Sequence, residues 1–444
     1  MSSAAKAQPR HHLLKILGVT FGVAVAIGQT IGSGILRSPS IIAGEVPGIA
    51  LIVGLWVLGA IQVSLAANLV AELGTALPKS GGGYNYAHRA LGDVGGLVVG
   101  WTDWLSNLAG AAAASVSFAE FLPLLVPAAA THKIAVALAL QVALYAANMA
   151  GLREGRALQE TTSFIKAGML LVFIIAAVIL IAPAEPETVL MSAPAWRWAS
   201  IILAYQLIMG AYAGWNTPVY FSGENTAPEK SIPRALALGI LLTGTLYVGV
   251  NWALLHALGP HAVASTPLPF ALALNRIGGS TPAILFALTA MITVASCANA
   301  CIMAAPRVLF ALGSDHLLPR AFTSVNAGGS PTIAFLMTAA GTLALAASGT
   351  FALVFGLIAT LNAASGVLID ISFFVLRIRE PALPRPHRAY GYPLLTAIPL
   401  AVDASLVILF TAANYVGGLV ALGMGLLCIP FAIIAHRARR AERS

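Results

Sequence analysis

Two glycine-rich segments and one lysine are the residues of this chain whose types and placement could do chemistry. Ile31-Gly32-Ser33-Gly34 lies in the middle of an apolar run from Ile16 to Ala43, and Gly210-Ala211-Tyr212-Ala213-Gly214 in the middle of another from Trp198 to Phe221. An unwound stretch exposes N–H and C=O groups that hydrocarbon cannot satisfy. It is tolerated at membrane depth only where it lines a cavity or is buried in protein. Interrupted spans at corresponding places in two halves of a chain are the pattern of a transporter's binding site.

Each break has its own polarity. If the first run enters from the basic side, its second half-helix begins near Ser33, and the free N–H groups and positive dipole end there suit a carboxylate. Gly32 and Gly34 permit close approach and unusual dihedrals; the simpler alternative is a small-residue packing patch. At the second break the carbonyls of Gly210, Ala211 and Ala213 can accept from an ammonium. Tyr212 and Trp215 either close the pocket or pack between helices, and Asn216 is expected to bond a neighbouring helix. Lys166 lies inside an apolar run, Phe164-Ile-Lys-Ala-Gly-Met-Leu. An ammonium there is costly and is a functional hypothesis by default. The alternative is a side chain snorkelling to the edge near Glu160 and Arg156. Arg37 is expected to snorkel or pair with Glu45, or else to line an outer vestibule. Asp103, Glu120, Asp370 and Asp403 are expected near interfaces or beside partners, and Glu72 and Glu224 in salt bridges at the basic end.

The elements that must hold these residues follow from composition. Hydrophobic residues are 59% of 444 and charged residues 9%, whereas a soluble domain carries roughly a quarter charged residues. Apolar runs long enough to span a bilayer fall at 16–43, 47–75, 95–127, 133–150, 158–182, 197–222, 235–258, 281–311, 331–347, 351–376, 394–414 and 416–436. The run 95–127 is too long for one straight helix and is expected to be a tilted span with an outer extension. Of 24 Lys and Arg residues, 19 fall at the N-terminus, in alternate loops or in the C-terminal tail, and only Lys133, Arg197 and Arg276 fall in the opposite loops. By the positive-inside rule both termini are cytoplasmic. The breaks then lie in spans 1 and 6.

The predicted fold is an all-α integral membrane protein of twelve transmembrane helices, with helices 1 and 6 broken. A five-plus-five inverted repeat (a leucine-transporter-type fold) is followed by two extra helices. The segments are a tail 1–15, repeats 16–182 and 197–376, helices 11–12 at 394–436 and a tail 437–444. The first run is too long for a cleavable signal peptide and lacks its small-residue site. The net charge of +8 is scattered over short loops and predicts no nucleic-acid partner. Cys297 and Cys301 are expected to pack. The nine histidines are dispersed, so no metal and no cofactor are predicted.

Several motifs resemble the amino acid–polyamine–organocation permease superfamily. They are Gly28-Gln-Thr-Ile-Gly-Ser-Gly-Ile-Leu36 with Pro39, the segment Ala71 to Tyr86 (AELGTALPKSGGGYNY), and Arg307 through Leu317-Leu-Pro319, where His316 replaces a usual Gly. Tyr212-Ala-Gly-Trp-Asn216 with Glu224 and Ser231-Ile-Pro-Arg-Ala235 is similar to L-type and related bacterial exchangers. The resemblance covers spans 1–10. It implies that Ile31, Gly32, Ser33 and Gly34 bind a substrate α-carboxylate and that the carbonyls of Gly210, Ala211 and Ala213 accept the ammonium, with Tyr212 and Trp215 as candidates to close the pocket or to pack between helices. It also implies that Lys166 stands where other members hold sodium, with proton carriage as a further possibility. Gly210 sits where many relatives carry an aromatic gate, which predicts a roomier pocket or a gate from Tyr205 or Tyr212.

The expected function is alternating-access transport of amino acids, neutral ones favoured, by sodium-independent exchange or proton coupling. The site would hold a small-molecule amino acid with membrane lipid around the bundle and protons as a candidate co-substrate. No obligate protein partner is indicated, and composition points to a bacterial inner membrane. The alternatives are a permease for amines or other metabolites and, more distantly, an integral-membrane enzyme. No nucleophile or metal cluster favours the enzyme, and no symmetric filter or charged ring favours a channel.

Overall fold

A computed structural model describes residues 17–150, 152–184, 197–266, 268–278, 280–326, 329–347, 351–413, 415–426 and 428–429. The expected tails 1–15 and 437–444, and residue 16, lie outside the described residues.

Helices α1 (Val19–Thr30) and α2 (Ser33–Glu45) are the two halves of the first apolar run, bent by 41° at their break. Next come α3 (Ile49–Ala76), α4 (Tyr84–Phe121), α5 (Lys133–Ala150) and α6 (Leu152–Leu180). Helix α7 (Trp198–Tyr212) passes through a turn into a 3-10 run, Thr217–Glu224. The chain continues with α8 (Pro228–Leu258) and two short helices, α9 (Pro260–Ala264) and α10 (Pro269–Gly278), which the hydropathy pattern did not predict. It then forms α11 (Ser280–Ser314), α12 (Thr332–Ala347), α13 (Phe351–Arg379), α14 (Leu394–Ala413) and α15 (Tyr415–Leu426). Among the described residues the only β-type pairing is two isolated bridges, Leu17 with Asn225 and Val325 with Pro331. Among the described residues, seven helices are individually long and apolar enough to cross a membrane, and eight if the α1–α2 pair counts as one span.

The chain is turned inside out relative to a soluble protein. Leu171, Val172, Ile175 and Ile179 make an exposed stripe on α6, and Leu238 and Leu241 do so on α8. Gln62, Asn107, Asn148, Gln159, Asn299 and Lys166 are buried. Apolar outer faces suit lipid, and polar groups face inward where other helices satisfy them. Small residues allow the close contacts. A Cβ on Gly22 would lie 2.6 Å from the Ala235 side chain, and one on Gly239 would lie 2.8 Å from that of Ala26, so α1 and α8 meet nearly backbone to backbone.

Two ends differ from the hydropathy reading. Helix α4 begins before its apolar run, and Gly92 (φ 77°) separates a short leading segment from the long span. Its other end stops at Phe121, short of the end of the apolar run, and 3-10 turns at Leu122–Leu124 and Pro127–His132 follow. Pro123 and Pro127 cannot donate to a continuing α-helix.

Candidate functional site at two helix breaks

The first break occurs where the motif placed it. Ile31 is extended (φ −74°, ψ 95°), Gly32 follows at φ −143°, ψ −150°, and α2 starts at Ser33 with no side-chain cap. The four carbonyls that α1 would have used in a continuing helix each meet a side chain from elsewhere. Lys166 Nζ on α6 donates to Gly28 O (2.5 Å) and Ile31 O (2.8 Å). Tyr247 Oη on α8 lies 2.6 Å from Thr30 O, and Cys297 Sγ on α11 donates to Gln29 O at 3.1 Å. Lys166 is completely buried and does not snorkel. Its charge is met by backbone oxygens, the ligands a hard cation would choose. The acceptors are thus spoken for, and the uncapped N–H groups at the start of α2 remain.

The second break lies later than the glycine pattern suggested. Gly210, Ala211 and Tyr212 still belong to α7, and the turn comprises residues 213–216. Gly214 sets this position, because its φ of 97° is a left-handed conformation that side chains resist. Ala213 N bonds Gly210 O (3.3 Å), and Gly214 O accepts from Thr217 N (3.1 Å) and Thr217 Oγ1 (2.5 Å). Tyr247 Oη also lies 3.1 Å from Ala211 O, so one hydroxyl stands between both breaks. Gln29 joins them again, donating to Asn107 Oδ1 (2.8 Å) while its Oε1 lies against Thr217 Oγ1, whose one proton it shares with Gly214 O.

A cavity lies between the breaks. Gly32, Ser33 and Gly34 line it on one side, and Gly210, Ala211, Ala213 and Trp215 on the other. Two expected site residues do not line it. Ile31 contributes only a carbonyl, and that is held by Lys166. Tyr212 is buried with its hydroxyl on Trp56 O (3.1 Å) and its ring against Trp56 and Tyr247, so it packs between helices. Tyr205 packs toward Ala359, Ala363, Leu406 and Phe410, so neither tyrosine is placed as a gate. Arg37 pairs with Glu120 at 3.0 Å instead of Glu45, and Glu45 accepts from Ser200 at 2.6 Å. Cys297, expected only to pack, lines the cavity. The remaining walls include Asp103, Asp370 and Asp403. Reading the sequence placed these carboxylates near interfaces. Their common orientation depends on how three helices rotate against each other, and no single-helix pattern carries that.

The end of the bundle that bears the basic loops is tied shut. Arg307 donates through Nε to Glu224 Oε1 (2.6 Å) and through Nη2 to Oε2 (3.0 Å), with both side chains buried and the guanidinium 4.4 Å from the Phe221 ring centroid. Glu72 is held by Arg377 (Nε to Oε1, 2.8 Å), by Arg385 (3.0 Å) and by Ala389 N (2.7 Å). Leu17 N bonds Glu224 O (3.1 Å) and Thr226 N bonds Leu17 O (3.0 Å), so the entry to α1 is fastened to the exit from the second break. Tyr84 Oη donates to Asp315 Oδ2 (2.8 Å), and His88 lies 3.4 Å from Asp315 and 2.9 Å from Asp93. Its bond to Asp315 raises the pKa of His88 above the usual imidazole range, and the same bond lowers that of Asp315. Glu72 and Glu224 thus behave as the sequence predicted. Among the described residues, no group of three His, Cys, Asp or Glu could hold a metal ion.

Comparison with known proteins gives the architecture a context. A family model described as amino acid permease matches residues 17–429. The serine/threonine exchanger SteT of Bacillus subtilis is 26% identical over 419 residues, covering 89% of this chain and 91% of that protein. The large neutral amino acids transporter small subunit 2 of Oryctolagus cuniculus is 25% identical, covering 84% and 72%. The Asc-type amino acid transporter 1 of Mus musculus is 25% identical, covering 86% and 74%.

Proposed function

We propose, from the premise that this chain belongs to the amino acid permease family, that it is a secondary transporter of amino acids working by alternating access. The observation that carries the reading is the first break, whose carbonyls are all occupied while its N–H groups face a cavity shared with the second break. A zwitterion fits that polarity. Its carboxylate meets the start of α2, and its ammonium meets the carbonyl end of α7.

Twelve spans are the reading we adopt, with repeats at 16–182 and 197–376 and helices 11–12 at 394–436. The distribution of basic residues over the loops supports both termini in the cytoplasm, and a bacterial inner membrane is the proposed location. Lys166 takes the place of a coupling cation by donating to two carbonyls of the break, so transport needs no sodium. The buried pair Glu224–Arg307 and the Glu72 cluster then form the closed cytoplasmic side. Serine, threonine and large neutral amino acids, named for the relatives, are the first substrates to try.

Uptake of radiolabelled amino acids into liposomes holding the purified protein tests this, with Lys166→Ala beside the wild type. Internal amino acid, sodium and a pH gradient are each supplied and withheld. Uptake that requires internal amino acid and ignores sodium is expected for exchange, and a pH gradient alone drives uptake if protons couple. Failure of every amino acid, with an amine transported instead, overturns the substrate assignment.

A further inference from the structure

Three carboxyl groups line the same cavity from three helices, Asp103 on α4, Asp370 on α13 and Asp403 on α14. Asp103 (4% exposed) and Asp370 (3%) are buried, and Asp403 is half-buried. Asp103 Oδ1 accepts from Ser365 Oγ (2.8 Å), and Asp403 Oδ1 accepts from Gln62 Nε2 (3.1 Å). Asp103 also faces the Tyr220 hydroxyl, whereas among the described residues Oδ2 of Asp370 and the hydroxyl of Ser106 on the same wall have no hydrogen-bond partner. Asp370 and Asp403 are near neighbours. A Cβ on Gly366, one turn before Asp370, would lie 2.2 Å from Asp403 Oδ2, so α14 sets its carboxylate directly on α13.

Among the described residues that line this cavity there is no Lys, Arg or His. Lys166 is turned away onto the backbone of the first break, and Arg37 is paired with Glu120. Buried carboxylates without a cation are costly, and the cost falls when a cation enters beside them. The head of a bound amino acid cannot supply that charge, because its ammonium and carboxylate are used at the two breaks. A second positive group on the substrate can.

We propose that Asp103, Asp370 and Asp403, with Ser106, form a cation subsite for the substrate side chain, so that the pocket accepts amino acids bearing an ammonium or guanidinium in preference to neutral ones of equal size. This rests on the two breaks holding the amino acid's head. Asp370 and Asp403 act as the charge pair, and Asp103, anchored by Ser365, closes the third side. The subsite adds a substrate class to the neutral amino acids named for the relatives.

Arginine and citrulline test it, because they match in shape and differ in the charge of the terminal group. Competition of each against labelled substrate is measured in liposomes for the wild type, Asp370→Asn, Asp403→Asn and Asp370→Glu. Arginine is expected to compete at least tenfold better than citrulline in the wild type, about 1.4 kcal/mol. Either Asn variant should bring the arginine-to-citrulline ratio close to one, and Asp370→Glu should keep part of the preference. A wild-type ratio of one or below overturns the subsite whatever the variants do, and leaves the amino-acid reading standing if citrulline is carried. Agmatine, which lacks the α-carboxylate, separates the two claims. Transport of agmatine without arginine or citrulline overturns the head-group reading and supports the acidic wall. If the Asn variants instead lose proton-driven citrulline uptake while the arginine-to-citrulline ratio is unchanged, the carboxyls serve protons and the proposal falls.

Discussion

At the first break, the freed carbonyls of Gly28 to Ile31 are taken by side chains from α6, α8 and α11, three helices distant in the chain. At the second, the turn largely satisfies itself through Ala213 N to Gly210 O, Thr217 N to Gly214 O and Val219 N to Asn216 O. The first is a site held open by tertiary structure, and the second is local turn chemistry set by a left-handed glycine. The first should therefore respond to substitutions far away in sequence, and the second to substitutions within its own turn.

The largest effect is expected at Lys166. Lys166→Ala removes the donor to two buried carbonyls, each costing about 1–3 kcal/mol when left without a partner. Liposome uptake should fall ~100-fold or more, while Gly168→Ala on the same helix, where a Cβ meets nothing within 4 Å, should be near neutral. Wild-type uptake by Lys166→Ala would break the contrast between the breaks.

Gly214→Ala comes next. It forces a side chain into φ 97° and sets its Cβ 2.5 Å from Gln29 Cγ. The left-handed backbone alone costs about 1–2 kcal/mol, so uptake should fall roughly tenfold or more. Thermal unfolding in detergent should move less than uptake, because the damage is confined to the turn and its contact with Gln29.

Tyr247→Phe sharpens the comparison, since its one hydroxyl proton stands between both breaks. Loss of a buried donor of this kind costs about 1–3 kcal/mol, and a fall in affinity of about 10-fold is expected, measured by competition. A larger effect than that of Lys166→Ala would mean that the link between the breaks matters more than the charge at the first.

The smallest effect is pH-dependent and lies at the basic end that fastens both breaks. His88 has a folded pKa raised above 6.5 by Asp315, so its contribution is complete below 6.5 and fades as pH rises through the higher folded value. Asp315 has its pKa lowered from 3.8, so its contribution is complete above 3.8 and is lost only as pH falls through the lower value. Stability measured by thermal unfolding should therefore decline modestly on the alkaline side, and His88→Gln should flatten that decline without touching the cavity.

The sequence alone determined that the chain is helical and apolar, where its first break falls, and that an ammonium at Lys166 stands inside an apolar run. Those follow from length, from glycine between apolar residues and from the cost of an ammonium in hydrocarbon, all properties of one segment at a time. The salt bridges of Glu72 and Glu224 were also legible, because acidic residues at a basic end have obvious partners. The turn at residues 213–216 was misplaced by three residues because the segment offers two glycines, and only the folded chain assigns the left-handed conformation to Gly214. Tyr247, Gln29 and Cys297 could not be found as partners of the breaks, since nothing in their own helices distinguishes them from packing residues. The three aspartates were visible one by one. That they share a cavity wall depends on the rotation and depth of α4, α13 and α14, and only the packing of the whole bundle decides that.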